Sequence, residues 1–327
     1  MHLDTKSPLV EGGLGTPPAV SVIIVNYQTS GFVRRCVRSL CCQDVPLEII
    51  VVDNASPNDD WQSLLDLPIL LVRNAENLGY GKGCNLGAQQ AQAPLLCVLN
   101  PDTVVPPEAM RAWLQSLARL QSEGVRVGVL APVLCNDNGT IQRSTYRFPG
   151  ALTYWLNHSL LAGFLKRLRK SYGLPSLSTG VSKPRAAEWV MGSAMLIPRA
   201  AWDDVGGFSS AYFLYAEDTD LCFRLRKAGY EIIQDPQISI IHTQGEPTAE
   251  VRALAIQQFF SALETFLSRN YPRWRRVTVR CSMLGDLSLR MLFLAGAHIV
   301  GLRNRHNRER MRAYRKVWQE IIGRLWA

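Results

Sequence analysis

Three acids in four positions, Glu217, Asp218 and Asp220, follow the apolar and aromatic run Tyr212, Phe213, Leu214 and Tyr215. They open a segment, Leu221 to Ala228, that reads as a helix. Carboxylates placed where a hydrophobic wall meets a helix start are suited to taking a proton or holding a metal. His242 stands 24 residues after Asp218. Asp102 ends the apolar run Leu95 to Leu99 through the turn Asn100-Pro101, and Asp53 closes Ile49-Ile50-Val51-Val52. Open α/β sheets bind ligands beyond the carboxyl ends of their strands, and a hard cation carrying a diphosphate takes oxygen ligands there. Taken singly, Asp53 and Asp102 read as ordinary turn acids and His242 as a satisfied structural histidine. Their order along the chain points instead to one metal-assisted transferase site.

Such a site needs strands to carry it, and the first half of the chain supplies them. Short apolar runs alternate with helical or loop segments, the pattern of βαβ units around a largely parallel sheet. The expected strands are Val20 to Val25, Glu48 to Val52, Ile69 to Val72, Leu95 to Leu99 and Val127 to Leu130. The expected helices are Phe32 to Cys42, Lys82 to Gln92 and Pro107 to Ser122. Asn136-Asp137-Asn138-Gly139 is a turn signal that joins two strands of a hairpin. Beyond it, Phe148 to Lys170 is amphipathic, Gly173 to Pro184 a polar loop, and Trp189 to Pro198 again strand-like. Ile238 to Ile241 reads as a last short strand, and Thr248 to Arg269 as a helix. The glycine-rich stretch Asn77 to Asn85 approaches a helix start, where exposed amides and Lys82 favour an anion. It is neither a P-loop nor a dinucleotide fingerprint, since no Gly-Lys-Ser/Thr follows and it comes after the third strand.

With 327 residues, 47% of them apolar, and a mean hydropathy of −0.01, the chain is long enough for one full α/β core plus an appendage. Residues 1–18 read as a flexible leader with no secretory signal. Eight cysteines without a Cys-x-x-Cys pair read as reduced thiols of a cytoplasmic protein. The net charge of +9 is uneven: from Arg269 onward fourteen Lys and Arg face three acids, leaving the rest near −2. From Met311 the apolar residues Met311, Tyr314, Trp318, Ile321, Ile322 and Leu325 recur at helical spacing beside Arg308, Arg310, Arg312, Arg315 and Lys316. That pattern suits a helix lying on an anionic bilayer, or a helical subdomain with a solvated basic face. The uncharged run Met291 to Leu302 falls short of the ~20 residues a membrane span requires. No nucleic-acid motif accompanies the charge, so a nucleic-acid partner is not expected.

The chain resembles the family 2 inverting glycosyltransferases of GT-A fold, in their bacterial rhamnosyltransferase-like branch. The segments that carry the resemblance are Val20 to Tyr27, Val52 to Ser56, Glu76 to Tyr80 with Asn85, Leu99 to Thr103 and Trp189 to Ala194. Gly206 to Phe208, Phe213 to Arg224, Ala228 to Tyr230 and His242 complete the set, in family order. The resemblance implies a Rossmann-like α/β domain over residues 19–245 and a helical, basic, amphipathic extension over 246–327. It implies that Asp53 binds the uracil or thymine nucleoside of a UDP- or dTDP-sugar, with Asn26, Lys82, Asn85, Asn100 and Gly192 also lining that ligand. Asn100-Pro101-Asp102 stands where the family has its Asp-x-Asp motif, so Asp102 is the principal acidic ligand of Mg2+ or Mn2+ and His242 the second. Asp218 is then the catalytic base, with Glu217 as its helper.

The implied activity is transfer of a sugar, L-rhamnose from dTDP-L-rhamnose, to a saccharide or polyprenyl-linked acceptor in bacterial surface polysaccharide synthesis. The expected location is the inner face of the plasma membrane, held peripherally. Asp220, Arg224 and Arg226 are expected to orient the Asp218 helix by local ion pairs. Two competitors remain. A sugar nucleotidyltransferase would place a glycine-rich basic loop directly after the first strand, where this chain has Asn26-Tyr27-Gln28. A non-catalytic adaptor at the membrane would have no need of Asp53, Asp102, Asp218 and His242 together.

Overall fold

The apolar runs assemble into one mixed sheet flanked by helices. The computed structural model describes residues 2–4, 17–158, 183–243, 249–299 and 305–325. Most of the expected leader, residues 159–170 of the amphipathic stretch and most of the polar loop lie outside them. In chain order the strands are β1 His2–Asp4, β2 Val20–Asn26, β3 Leu47–Asp53, β4 Leu70–Arg73, β5 Leu95–Leu99, β6 Thr103–Val104 and β7 Val127–Cys135. They continue with β8 Ile141–Gln142, β9 Thr145–Tyr146, β10 Arg185–Ala187, β11 Trp189–Val190, β12 Ala194–Pro198 and β13 Glu231–His242. The helices are α1 Ser30–Cys41, α2 Tyr80–Gln90, α3 Ala109–Ser122, α4 Ala151–His158 and α5 Arg199–Val205. Four more follow: α6 Glu217–Lys227, α7 Ala249–Asn270, α8 Arg273–Ile299 and α9 Arg305–Gly323.

The chain forms two compact units. One holds the described residues within 1–146, 178–213 and 217–244; the other holds those within 147–177, 214–216 and 245–327. In the first, the sheet order is β1-β4-β3-β2-β5-β12-β7-β13-β10, with β6 on β13 and β8 on β7. Strands β4, β3, β2 and β5 run parallel, β12 runs antiparallel to both its neighbours, and β7 and β13 are parallel to each other. From β2 the chain steps outward to β3 and β4, then crosses back to β5 on the other side of β2. This reversal is the switch point at which open sheets gather a site beyond their carboxyl ends.

Every residue of β2 is buried because helices cover both sheet faces. Val20, Val22 and Ile24 share a core with Val33, Cys36, Val37 and Leu40 of α1. On the opposite face, α2 lies so close that a Cβ on Gly83 would meet Val25 at 3.0 Å and one on Gly87 would meet Ile23 at 2.5 Å. These two glycines one turn apart therefore serve helix-to-sheet packing.

Two strand expectations are corrected. The last strand is twelve residues long, and its first half is disguised by Asp235 and Pro236 at a register shift against β7. Asp235 is fully buried there, where Ser116 Oγ donates to it. The stretch Trp189 to Pro198 is two strands split by Met191, Gly192 and Ser193. The hairpin turn stands as expected: the Gly139 amide bonds to the Asn136 carbonyl, and β7 pairs antiparallel with β8.

The second unit is helical, with α9 packed on α7 and α8 and α4 packed on α8. Ala313, Tyr314, Val317 and Ile321 of α9 are buried within it, and Trp318 Nε1 donates to Ser288 Oγ of α8. Part of the apolar stripe of this helix is thus taken up by its neighbours, while Ile322 stays exposed. Inside the unit, Arg280 pairs with Glu264 at 3.0 Å and Arg290 with Asp286 at 2.7 Å, all four groups being largely buried. Among the described residues no helix is long and apolar enough to cross a membrane.

Candidate active site

Three strand ends and one helix start supply the side chains. β5 ends at Leu99, and the Asn100 carbonyl accepts bonds from the Thr103 amide at 3.2 Å and the Thr103 hydroxyl at 2.8 Å, a tight turn that presents Asp102. Thr103 in β6 pairs with His242 at the end of β13, and the Thr243 amide donates to the Asp102 carbonyl at 2.8 Å. That register sets His242 Nε2 3.3 Å from Asp102 Oδ1. Asn100 Nδ2 lies 3.5 Å from the same Nε2 and donates to Ser193 Oγ at 3.2 Å. Two ligand atoms at right angles on an ion with bonds of about 2.1 Å lie about 3 Å apart, so this pair suits one cation. Imidazole and carboxylate together suit Mn2+ or Mg2+, with phosphate oxygens and water completing the shell. Among the described residues no third His, Cys, Asp or Glu joins them.

Helix α6 carries the acids. Tyr215 and Ala216, just before it, have φ of 71° and 61°. Left-handed backbone at non-glycine residues costs of order 1–3 kcal/mol each and tends to persist where a site requires it. Glu217 and Asp218, though adjacent, meet different surroundings. Asp218 is half-buried; its Oδ2 accepts the Gly192 amide at 2.9 Å, and its Oδ1 accepts the Thr219 amide at 2.6 Å and hydroxyl at 3.2 Å. Glu217 is buried, and its Oε2 has no hydrogen-bond partner. Burial, reinforced by the neighbouring Asp218 charge, pushes the Glu217 carboxyl up to about 8. Burial also raises Asp218, opposed by the bonds from Gly192 and Thr219 that favour its anion. The two titrate as a pair, and the proton belongs on Glu217 because the hydrogen-bond donors surround Asp218.

Adjacent backbone joins the two halves. Gly192 donates to Asp218, while the carbonyl of Ser193 accepts the Asn100 amide at 2.9 Å. Tyr80 of α2 donates its hydroxyl to the Gly192 carbonyl at 3.0 Å from below. Asp218, Gly192, Ser193, Asn100, Asp102 and His242 therefore form one continuous cluster. Lys82, in the first turn of α2, is half-buried and has no hydrogen-bond or ion-pair partner among the described residues.

The other residues expected to bind the donor are hydrogen-bonded to their neighbours. Asp53 is buried, with Oδ1 accepting Asn26 Nδ2 at 2.8 Å and Oδ2 accepting the Ser56 amide at 3.1 Å. Asn26 also shares Nδ2 with Ser56 and Asp60 and accepts twice from Thr29, so its amide is fully committed to bracing Asp53. Asn85 grips the Phe208 backbone at both ends, donating at 2.7 Å and accepting at 2.9 Å. Asn26 and Asn85, expected to line the nucleotide sugar, thus each brace a neighbouring loop. Gly192, expected there too, gives its amide to Asp218. A Cβ there would stand 3.3 Å from Asp218 Cβ. Asp220 pairs with Arg224 at 2.6 Å as expected, whereas Arg226 instead donates to the Ala187 carbonyl.

Residues 21–180 match the family model described as glycosyl transferase family 2. Over 285 residues the chain is 27% identical to the N-acetylglucosaminyl-diphospho-decaprenol L-rhamnosyltransferase of Mycobacterium tuberculosis, covering 82% of this chain and 90% of that one. This chain is a glycosyltransferase with a family 2 domain. It is also 23% identical over 230 residues to rhamnosyltransferase WbbL of Escherichia coli K12, covering 68% and 83% of the two chains. The fold is shared with a mannosyltransferase of Pyrobaculum calidifontis solved with GDP-mannose and Mn2+, at a TM-score of 0.53 and 17% identity. That likeness covers 100% of this chain and 91% of that one.

Within this glycosyltransferase, sequence reasoning missed Asn54 and Tyr80. Asn54 is buried and ties four partners, donating to Asn77 and the Gly79 carbonyl and accepting from Asn74 and Leu78. The cluster of asparagines at positions 54, 74 and 77 was its available signal.

Proposed function

We propose that this glycosyltransferase transfers L-rhamnose from dTDP-L-rhamnose, with inversion, to a saccharide or polyprenyl-linked acceptor in bacterial surface polysaccharide synthesis. The observation that carries the mechanism is a carboxylate, Asp218, held by the Gly192 amide one residue away from the Asn100 and Ser193 contact beside Asp102 and His242. Asp218 takes the acceptor hydroxyl's proton as that oxygen attacks the anomeric carbon and the nucleoside diphosphate departs. Glu217 stays protonated behind it and so spares the site a second negative charge. Asp102 and His242 would hold Mg2+ or Mn2+, which would supply positive charge against the departing diphosphate. Asp53, braced by Asn26, faces the nucleoside, and Lys82 supplies a free cation. The rhamnosyltransferase names of the M. tuberculosis and E. coli relatives support the choice of sugar, and the lipid-linked substrate in the first name supports the acceptor class.

Attachment to the inner membrane surface rests on the exposed basic face of α9, Arg308, Arg312 and Arg315. The test of activity is transfer from dTDP-rhamnose, UDP-sugars and GDP-mannose to a polyprenyl-diphosphate-linked N-acetylglucosamine, with Mg2+, Mn2+ or chelator, reading the product anomer. The expected result is rhamnose in the inverted configuration, lost with chelator. Transfer undiminished by chelator would remove the metal, and transfer from another nucleotide sugar alone would remove rhamnose.

A further inference from the structure

The hairpin β7–β8 has a use beyond strand pairing. Its turn brings Gln142, which is buried, under His242. Gln142 Nε2 donates to the backbone carbonyl of His242 at 2.7 Å and to Asn136 Oδ1 at 2.6 Å. A backbone carbonyl only accepts, so it fixes which end of the Gln142 amide carries the hydrogens. Asn136 agrees independently. Its Nδ2 lies 2.7 Å from Thr140 Oγ1, and that hydroxyl donates to Asn138 Oδ1 at 2.6 Å, so Asn136 must present its oxygen to Gln142. With the amide so pinned, the atom left facing His242 Nδ1 at 2.9 Å is the acceptor Oε1.

We infer that Gln142 is the positioning residue that fixes His242 as the Nδ1–H tautomer, aiming the Nε2 lone pair at Asp102. An acceptor opposite Nδ1 requires a hydrogen on Nδ1, and a neutral imidazole then has its lone pair on Nε2. Asn100 Nδ2, 3.5 Å from Nε2, is a donor facing that lone pair. Asp102 Oδ1 at 3.3 Å is a second acceptor facing it, and two acceptors so placed attract a cation between them. Partners that orient a ligating imidazole through its other nitrogen commonly change metal affinity 10- to 100-fold when removed. The metal consequence rests on the proposed role of His242; the tautomer does not.

The experiment therefore reads both. Long-range 15N–1H spectra of the metal-free protein, at about pH 8.5 where an ordinary imidazole is neutral, report which His242 nitrogen carries the hydrogen. Mn2+ titration then reports affinity. The full chain is expected to show Nδ1–H. Gln142→Leu is expected to shift His242 toward Nε2–H and to weaken Mn2+ at least about tenfold. Gln142→Glu keeps an acceptor opposite Nδ1 and is expected to keep the tautomer, which separates positioning from loss of fold. Nε2–H in the parent protein, or a tautomer unmoved by Gln142→Leu, overturns the inference. A shifted tautomer with unchanged Mn2+ affinity upholds it and overturns His242 as a metal ligand.

Discussion

Glu217 and Asp218 show how two neighbouring carboxylates acquire opposite duties. Both are raised by burial, but Asp218 receives more hydrogen bonds that oppose it, from the Gly192 and Thr219 amides and the Thr219 hydroxyl, so the anion settles there. Glu217 keeps its proton up to about pH 8. A carboxyl raised in the folded state gives stability that is full below its ordinary value near 4.5 and is lost as pH climbs to about 8. Glu217→Gln should accordingly match the parent in thermal unfolding near pH 4.5, exceed it increasingly up to about pH 8 and keep a constant lead above that. Parallel curves across that window would contradict the assignment. Asn85 separates a ligand from a brace. With both ends of its amide on Phe208, Asn85→Ala should cost about 1–3 kcal/mol in chemical denaturation and leave nucleotide-sugar affinity within a few-fold. A large loss of affinity at unchanged stability would restore Asn85 to the ligand set.

At the scale of elements, what was legible depended on whether one segment could speak for itself. β5 was read without error because an apolar run between Pro94 and Asn100 admits few alternatives. β13 was half hidden, since Asp235 and Pro236 look like a turn until Ser116 and β7 are seen to satisfy them. The acids of the site stood out in sequence, but the groups that assign their roles, the Gly192 amide and the Gln142 side chain, come from distant strands. Glycines were legible as a pattern, but the packing that requires them was not. Gly83 and Gly87 admit β2, and Gly79 fits a backbone of φ 85° with the Phe213 carbonyl where a Cβ would stand, at 2.1 Å. Gly79→Ala should therefore destabilise by at least about 2 kcal/mol or prevent folding, read as the denaturation midpoint. A neutral effect would show that the loop before α6 relaxes freely.

Across the whole molecule, the chain divides its charge as well as its fold. The basic excess lies in the helical unit, where α9 buries Ala313, Tyr314, Val317 and Ile321 and leaves Arg308, Arg312 and Arg315 exposed. A membrane contact made by these groups is electrostatic and screened within about 8 Å at physiological salt. Reversing all three to Glu should abolish binding to phosphatidylserine or cardiolipin vesicles, while the parent binds at low salt and washes off at high salt. Retained binding by the triple variant would place the contact elsewhere. The catalytic unit asks for a different measurement, one that separates chemistry from binding. In Asp218→Asn, with Mn2+ present, turnover of dTDP-L-rhamnose and its dissociation constant should be read on the same protein. Turnover is predicted to fall at least about a thousandfold, the order expected when a general base is removed from a preorganised site, with affinity changed by no more than a few-fold. Turnover within tenfold of the parent would show that another group takes the proton.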